Sequence, residues 1–63
     1  MLLEIKKTNS TEYIEVDRVE DTEDKVYYDN YKIDSDIVKE DCEFIALHRN
    51  DRWCKILHIK DNK

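Results

Sequence analysis

Apolar and polar positions alternate along most of this chain in short runs, and polar clusters interrupt them about every eight to twelve residues, the spacing of short β-strands joined by turns. Leu3 and Ile5 alternate within Met1 to Lys7, which predicts a first strand ending in a Thr8-Asn9-Ser10-Thr11 turn. Glu12 to Glu20 alternates strictly: Ile14 and Val16 point one way, and Tyr13, Glu15, Asp17 and Val19 the other, so one face is wet. Asp21-Thr22-Glu23-Asp24 reads as a loop. Lys25 to Asp34 predicts a tight hairpin around Asp29-Asn30 that pairs Tyr28 with Tyr31, Val26 with Ile33 and Tyr27 with Lys32. Val26, Tyr28, Tyr31 and Ile33 then face the core. Ser35 is positioned to cap one helical turn through Ile37 and Val38, near residues 35–40.

Cys42 to Lys60 holds two apolar, β-prone runs around Asn50-Asp51, a hairpin pattern. With a two-residue turn, Arg49 pairs with Arg52, His48 with Trp53, Leu47 with Cys54, Ile45 with Ile56, and Phe44 with Leu57. A slip of one residue sets His48 opposite Cys54 instead, because side chains repeat every two residues. In the first register both faces are apolar, with Phe44, Ala46, Trp53, Leu57 and Ile59 on one and Ile45, Leu47, Cys54 and Ile56 on the other. Such a hairpin needs cover on two sides: the second is supplied either by the N-terminal strand and the helical turn or by another chain, and of the two the pattern favours a partner, as in a homodimer through residues 42–60. The expected fold is mostly β: a small SH3-like barrel or a strongly twisted antiparallel sheet of five to six short strands, with one helical turn, in a single domain spanning 1–63.

Composition changes this picture in two ways. Gly and Pro are both absent, so turns that need positive φ fall to Asn and Asp. Charged residues make up 43% of the 63 residues and the net charge is -5, yet the clustering of β-branched and aromatic residues argues for a folded chain. A chain this short sits near the lower limit for an independent core. One Ala, three Arg and many Lys, Ile, Asp and Asn suggest an AT-rich coding sequence, as in a low-GC bacterium or its phage. Met1-Leu2-Leu3 runs directly into Glu4, so no secretory signal is expected. With two cysteines, the expected setting is the reducing cytoplasm. No segment approaches the roughly 20 apolar residues of a membrane span.

Cys42, His48, Cys54 and His58 have residue types suited to zinc. Cys42 and His48, however, are about 20 Å apart on a continuous strand at roughly 3.3 Å per residue, far beyond the separation of ligands on one ion. Neither a metal nor a cofactor is expected. Catalysis is not expected either: there is no nucleophile-elbow motif, no phosphate-cradling glycine, and Cys54 and His58 are about 13 Å apart along a strand.

Charge placement is more informative. From Glu12 to Glu43 thirteen acids face four bases, a net of -9, while the remainder of the chain is mildly basic. A solvated surface accounts for many such runs. The functional reading is a small intracellular interaction protein, phage-encoded, that inhibits a host nucleic-acid-handling or defence protein by presenting acids to its basic groove. Its expected contacts are Glu12, Glu15, Asp17, Glu20, Asp21, Glu23, Asp24 and Asp29, together with Tyr27 outside the core face. An alternative is a nucleic-acid or small-ligand module using the hairpin tip, Arg49, Arg52 and Trp53, although the negative field opposes a polyanion. A structural protein that works by oligomer formation is a third reading.

Overall fold

The computed structural model describes residues 1–30, 33–49 and 54–61, with backbone alone at Asn30 and Ile33. Its strands are β1 (Leu2–Lys6), β2 (Thr11–Glu15), β3 (Arg18–Asp21), β4 (Lys25–Asn30), β5 (Ile33–Val38), β6 (Phe44–His48) and β7 (Cys54–Ile59), with a 3-10 turn at Lys39–Asp41 between β5 and β6. The chain is mostly β, as the alternation predicts. The strands form two antiparallel sheets, ordered β2-β1-β6-β7 and β3-β4-β5, in place of one closed barrel or one sheet of five to six strands.

One corner explains the division. Glu12 to Glu20 is not a single strand: Val16 N–H still bonds Met1 O at 2.9 Å in the four-stranded sheet, and Asp17 N–H already bonds Asp29 O at 2.9 Å beside the three-stranded one. The chain turns between them around buried Val16. This turn shifts the side-chain phase by one residue, so Val19, expected on the wet face with Glu15, packs against the core.

Two hairpins differ in register from the expected ones. On β4, Val26 faces Ile37, Tyr27 faces Asp36 and Tyr28 faces Ser35, so Asp29 and Asn30 belong to the strand and not to its turn. Val26 and Tyr28 keep their expected side. The partners expected from Tyr31 and Lys32 lie outside the described residues. In β6 and β7, His48 faces Cys54, Leu47 faces Lys55 and Ala46 faces Ile56, the slipped register and not the one set by a two-residue turn. A second shift between Ile45 and Ala46 pairs Ile45 with His58 and leaves Leu57 as the extra residue of a bulge. The slip moves Ile56 outward, and the bulge returns Leu57 to the interior. The helical turn is also displaced. Ser35 lies in β5, where Asp34 and Asp36 alternate with Ser35 and Ile37 at strand period, and the 3-10 turn starts at Lys39 with no side-chain cap.

The core lies between the sheets and consists of Leu3, Ile5, Val16, Val26, Cys42, Ile45, Leu47 and Leu57, with Met1, Ile14, Val19, Tyr28 and Ile37 packed against it. Among the described residues, five of these eight come from β1, β6 and β7, and one, Val26, from β3, β4 and β5. Cys42 is buried at the end of the 3-10 turn and donates its thiol hydrogen toward Lys39 O at 3.6 Å. Burial, and secondarily the neighbouring Asp41 carboxylate, raise its thiol pKa, while Lys7 and Lys60 offset part of the rise.

Candidate functional site

The acids that look continuous in sequence are divided by the corner at Val16–Asp17. Glu12 and Glu15 stand on β2 and are already engaged: Glu12 pairs with Lys7 Nζ at 2.8 Å, and Glu15 with the N-terminal ammonium at 2.9 Å. The hydrogen bond to Glu12, reinforced by its charge, raises the Lys7 pKa. Glu15 and Asp17 therefore do not form the shared strand face that alternation suggests. Asp17 occupies the corner, and Glu23 and Asp24 are exposed between β3 and β4. Asp21 pairs with Lys39 Nζ at 2.7 Å, and the same ammonium donates to Thr22 O at 2.8 Å, which fastens this turn to the 3-10 turn.

The remaining candidates converge on the outward face of β3, β4 and β5. Cross-strand register builds two rows there, Arg18–Asp29–Asp34 and Glu20–Tyr27–Asp36. In the first, Asp29 and Asp34 stand directly opposite each other, an arrangement that repels. Arg18 relieves it by reaching both acids at 3.4 Å. In the second, Tyr27 is 39% exposed and sits between two carboxylates. Among the described residues Glu20 has no ion pair, and Asp36 has only Lys25 at 3.8 Å. An open cleft of about 430 Å³ adjoins these rows, lined by Arg18, Val19, Glu20, Tyr27, Tyr28 and Asp34.

Sequence reasoning singled out Glu20, Asp29 and Tyr27 but missed Asp34 and Asp36. Their alternation, Asp34-Ser35-Asp36-Ile37, carried the signal, and the helical reading of residues 35–40 concealed it.

His48 faces Cys54 across β6 and β7, but its Nε2–H donates to Glu4 Oε1 at 2.7 Å. Tyr13 Oη donates to the other oxygen of Glu4 at 3.3 Å. Cys42 is buried and Cys54 exposed, both as free thiols, and among the described residues no three His, Cys, Asp or Glu side chains gather as a ligand set. At the candidate tip, Arg49 is exposed after β6, while Arg52 and Trp53 lie outside the described residues. No helix among the described residues is long and apolar enough to cross a membrane. In comparison with known proteins, no family model, no curated protein and no solved structure matches this chain.

Proposed function

We propose that this chain is a small non-enzymatic interaction protein that binds a partner protein with a basic groove through the outward face of β3, β4 and β5. The reading includes a phage-encoded inhibitor of a host nucleic-acid-handling or defence protein, acting in the cytoplasm; an amino-acid composition of the kind an AT-rich coding sequence produces supports the phage source alone. The observation that carries the reading is Tyr27 held between Glu20 and Asp36. The face of an aromatic ring attracts a guanidinium or ammonium, and a carboxylate on each side accepts its charge-assisted hydrogen bonds. Arg18, stretched between Asp29 and Asp34 on the next row, is an internal example of the geometry a partner's arginine would take. A polyanion is repelled by the same rows, which favours a protein over a nucleic acid as the partner.

An SH3-like scaffold is part of this proposal. Its support is the connectivity: β1 lies between β2 and β6, the chain passes from one sheet to the other at the corner between β2 and β3, and a 3-10 turn precedes β6.

Capture from a nuclease-treated host lysate tests the reading. The wild-type chain is expected to retain a basic protein that is released as salt rises from about 0.05 to about 0.5 M, where screening shortens to a few ångströms. The double variant Glu20→Lys, Asp36→Lys is expected to retain none of it. Equal retention by the double variant, or release indifferent to salt, rejects the acidic-face model.

A further inference from the structure

The outward face of β3-β4-β5 already holds two cations of its own chain, and it holds them differently. Arg18 spans two strands: its Nε meets Asp29 Oδ2 and its Nη2 meets Asp34 Oδ1, each at 3.4 Å. Among the described residues Lys25 reaches one carboxylate, Asp36, at 3.8 Å. Shape accounts for the difference. Acids in one cross-strand row are held apart by the sheet, and a planar guanidinium with donors along its edges bridges them where a compact ammonium touches one.

The Glu20–Tyr27–Asp36 row repeats this plan with a wider gap. Glu20 on β3 and Asp36 on β5 stand two strand spacings apart, about 9.6 Å along the row, with Tyr27 of β4 between them and 39% exposed. A guanidinium laid on that ring reaches to both sides, with a charge-assisted bond of about 2.8 Å at each end. An ammonium in the same place is a point charge and engages one carboxylate at a time. The cleft of about 430 Å³ that has Glu20 and Tyr27 in its lining is open, so a side chain can enter it from solvent. Among the described residues Glu20 has no ion pair, and Arg18 neutralises the neighbouring Asp29–Asp34 pair, which leaves Glu20, Tyr27 and Asp36 as the open row of this face.

We propose that this row selects an arginine side chain of the partner protein and discriminates against lysine. The inference rests on the acidic-face reading and narrows it: the partner must supply guanidinium groups, and positive charge alone does not suffice. Stacking on the exposed ring and one additional charge-assisted hydrogen bond together correspond to a preference of about tenfold. A surface that acts only through its net charge has no such preference, because equal charges at equal distances are attracted equally.

Two blocked peptides of equal length and charge, one with three arginines and one with three lysines in the same glycine–serine background, test the proposal. Each is titrated into the full chain at about 0.05 M salt, where screening is weak, and amide shifts give both dissociation constants. The arginine peptide is expected to bind about tenfold tighter, with its largest shifts at Glu20, Tyr27 and Asp36. Tyr27→Leu is expected to bring the two affinities within about twofold of each other, whereas Tyr27→Phe, which keeps the ring, retains the preference. Glu20→Gln, at an exposed position, is a second variant and is expected to weaken the arginine peptide more than the lysine peptide. Equal affinity of the two peptides at this face overturns the arginine assignment and leaves the acidic-face reading standing. No shift at this face with either peptide overturns both. A preference undiminished in the folded Tyr27→Leu and Glu20→Gln chains overturns the assignment to this row.

Discussion

The two outward faces of this molecule come from one chain turned at one corner, yet they differ in what they leave unsatisfied. On β2-β1-β6-β7, Glu4, Glu15 and His48 are paired while Ile56 and Ile59 are exposed; on β3-β4-β5, Glu20 has no ion pair among the described residues and stands beside Tyr27. The same contrast extends inward. The four-stranded sheet is held by buried aliphatic side chains, whereas among the described residues the three-stranded sheet adds buried Val26 with half-buried Val19, Tyr28 and Ile37, and Lys39, Arg18 and Lys25 hold its acids. A small domain can thus divide its work, with one sheet giving most of the cohesion and the other carrying the charge.

The largest effect that separates the sheets is in the core. Leu3→Ala is expected to cost about 3 kcal/mol in urea unfolding, within the range for buried leucines, and Val26→Ala about 2 kcal/mol, because fewer buried atoms are removed. Equal losses would mean that the core is shared evenly and would break the comparison.

The thiols give the next contrast. Cys54 on the outer face is expected to react with a disulfide reagent at least about a hundredfold faster than buried Cys42, whose modification awaits opening of the fold. Cys42 also predicts a pH effect. Its folded pKa is raised, so the neutral thiol's contribution to stability is complete below the unfolded pKa and is lost as pH rises through the folded one. Wild-type stability should therefore fall on the alkaline side of the ordinary thiol range, and Cys42→Ala should flatten that limb. An identical alkaline decline in both chains would rule the thiol out as its cause.

Smaller effects measure the polar fastening of the three-stranded sheet. Lys39→Met keeps the aliphatic stem but removes the bonds to Asp21 and Thr22; with Lys39 only 14% exposed, a loss of about 1.5 kcal/mol is expected, reduced toward 1 by the partial exposure of Asp21. Arg18→Ala, at a mostly exposed position, should cost no more than about 0.5 kcal/mol. If Arg18 proves the costlier of the two, the repulsion between Asp29 and Asp34 outweighs the anchoring of the turn. Added salt should weaken binding to the acidic rows, since it screens their charge from a basic partner.

The strands themselves were legible because alternation at period two is a local property, and β1 and the outward position of Tyr27 followed from it, as did the break before β4, although Asp21 closes β3 and only Thr22, Glu23 and Asp24 form the loop. Register was less legible. A shift of one residue in β6–β7 exchanges Ile56 for Leu57 in the core at little local cost, and only the bulge opposite Ile45 and Ala46 decides between them. The corner at Val16–Asp17 leaves no Gly or Pro to mark it, since the chain has none, and this hid both the division into two sheets and the inward position of Val19. The acidic face was half visible: the signal in Asp34 and Asp36 was present, but a serine at 35 supported a helical cap equally well.

The pairing of β1 with β6 also bears on how the molecule is assembled. Leu3 meets Leu47 across more than two thirds of the chain, whereas β3, β4 and β5 are linked by neighbouring segments alone. Closing so long a loop is entropically slower than forming adjacent hairpins, so β4 and β5 are expected to acquire pulse-labelled amide protection before β1 and β6 do. The charged face would then be complete while the apolar one is still being built. Until that last pairing the aliphatic side chains of β1 and β6 stay open to solvent, so the partly folded chain is most prone to aggregate in the interval before β1 closes on β6.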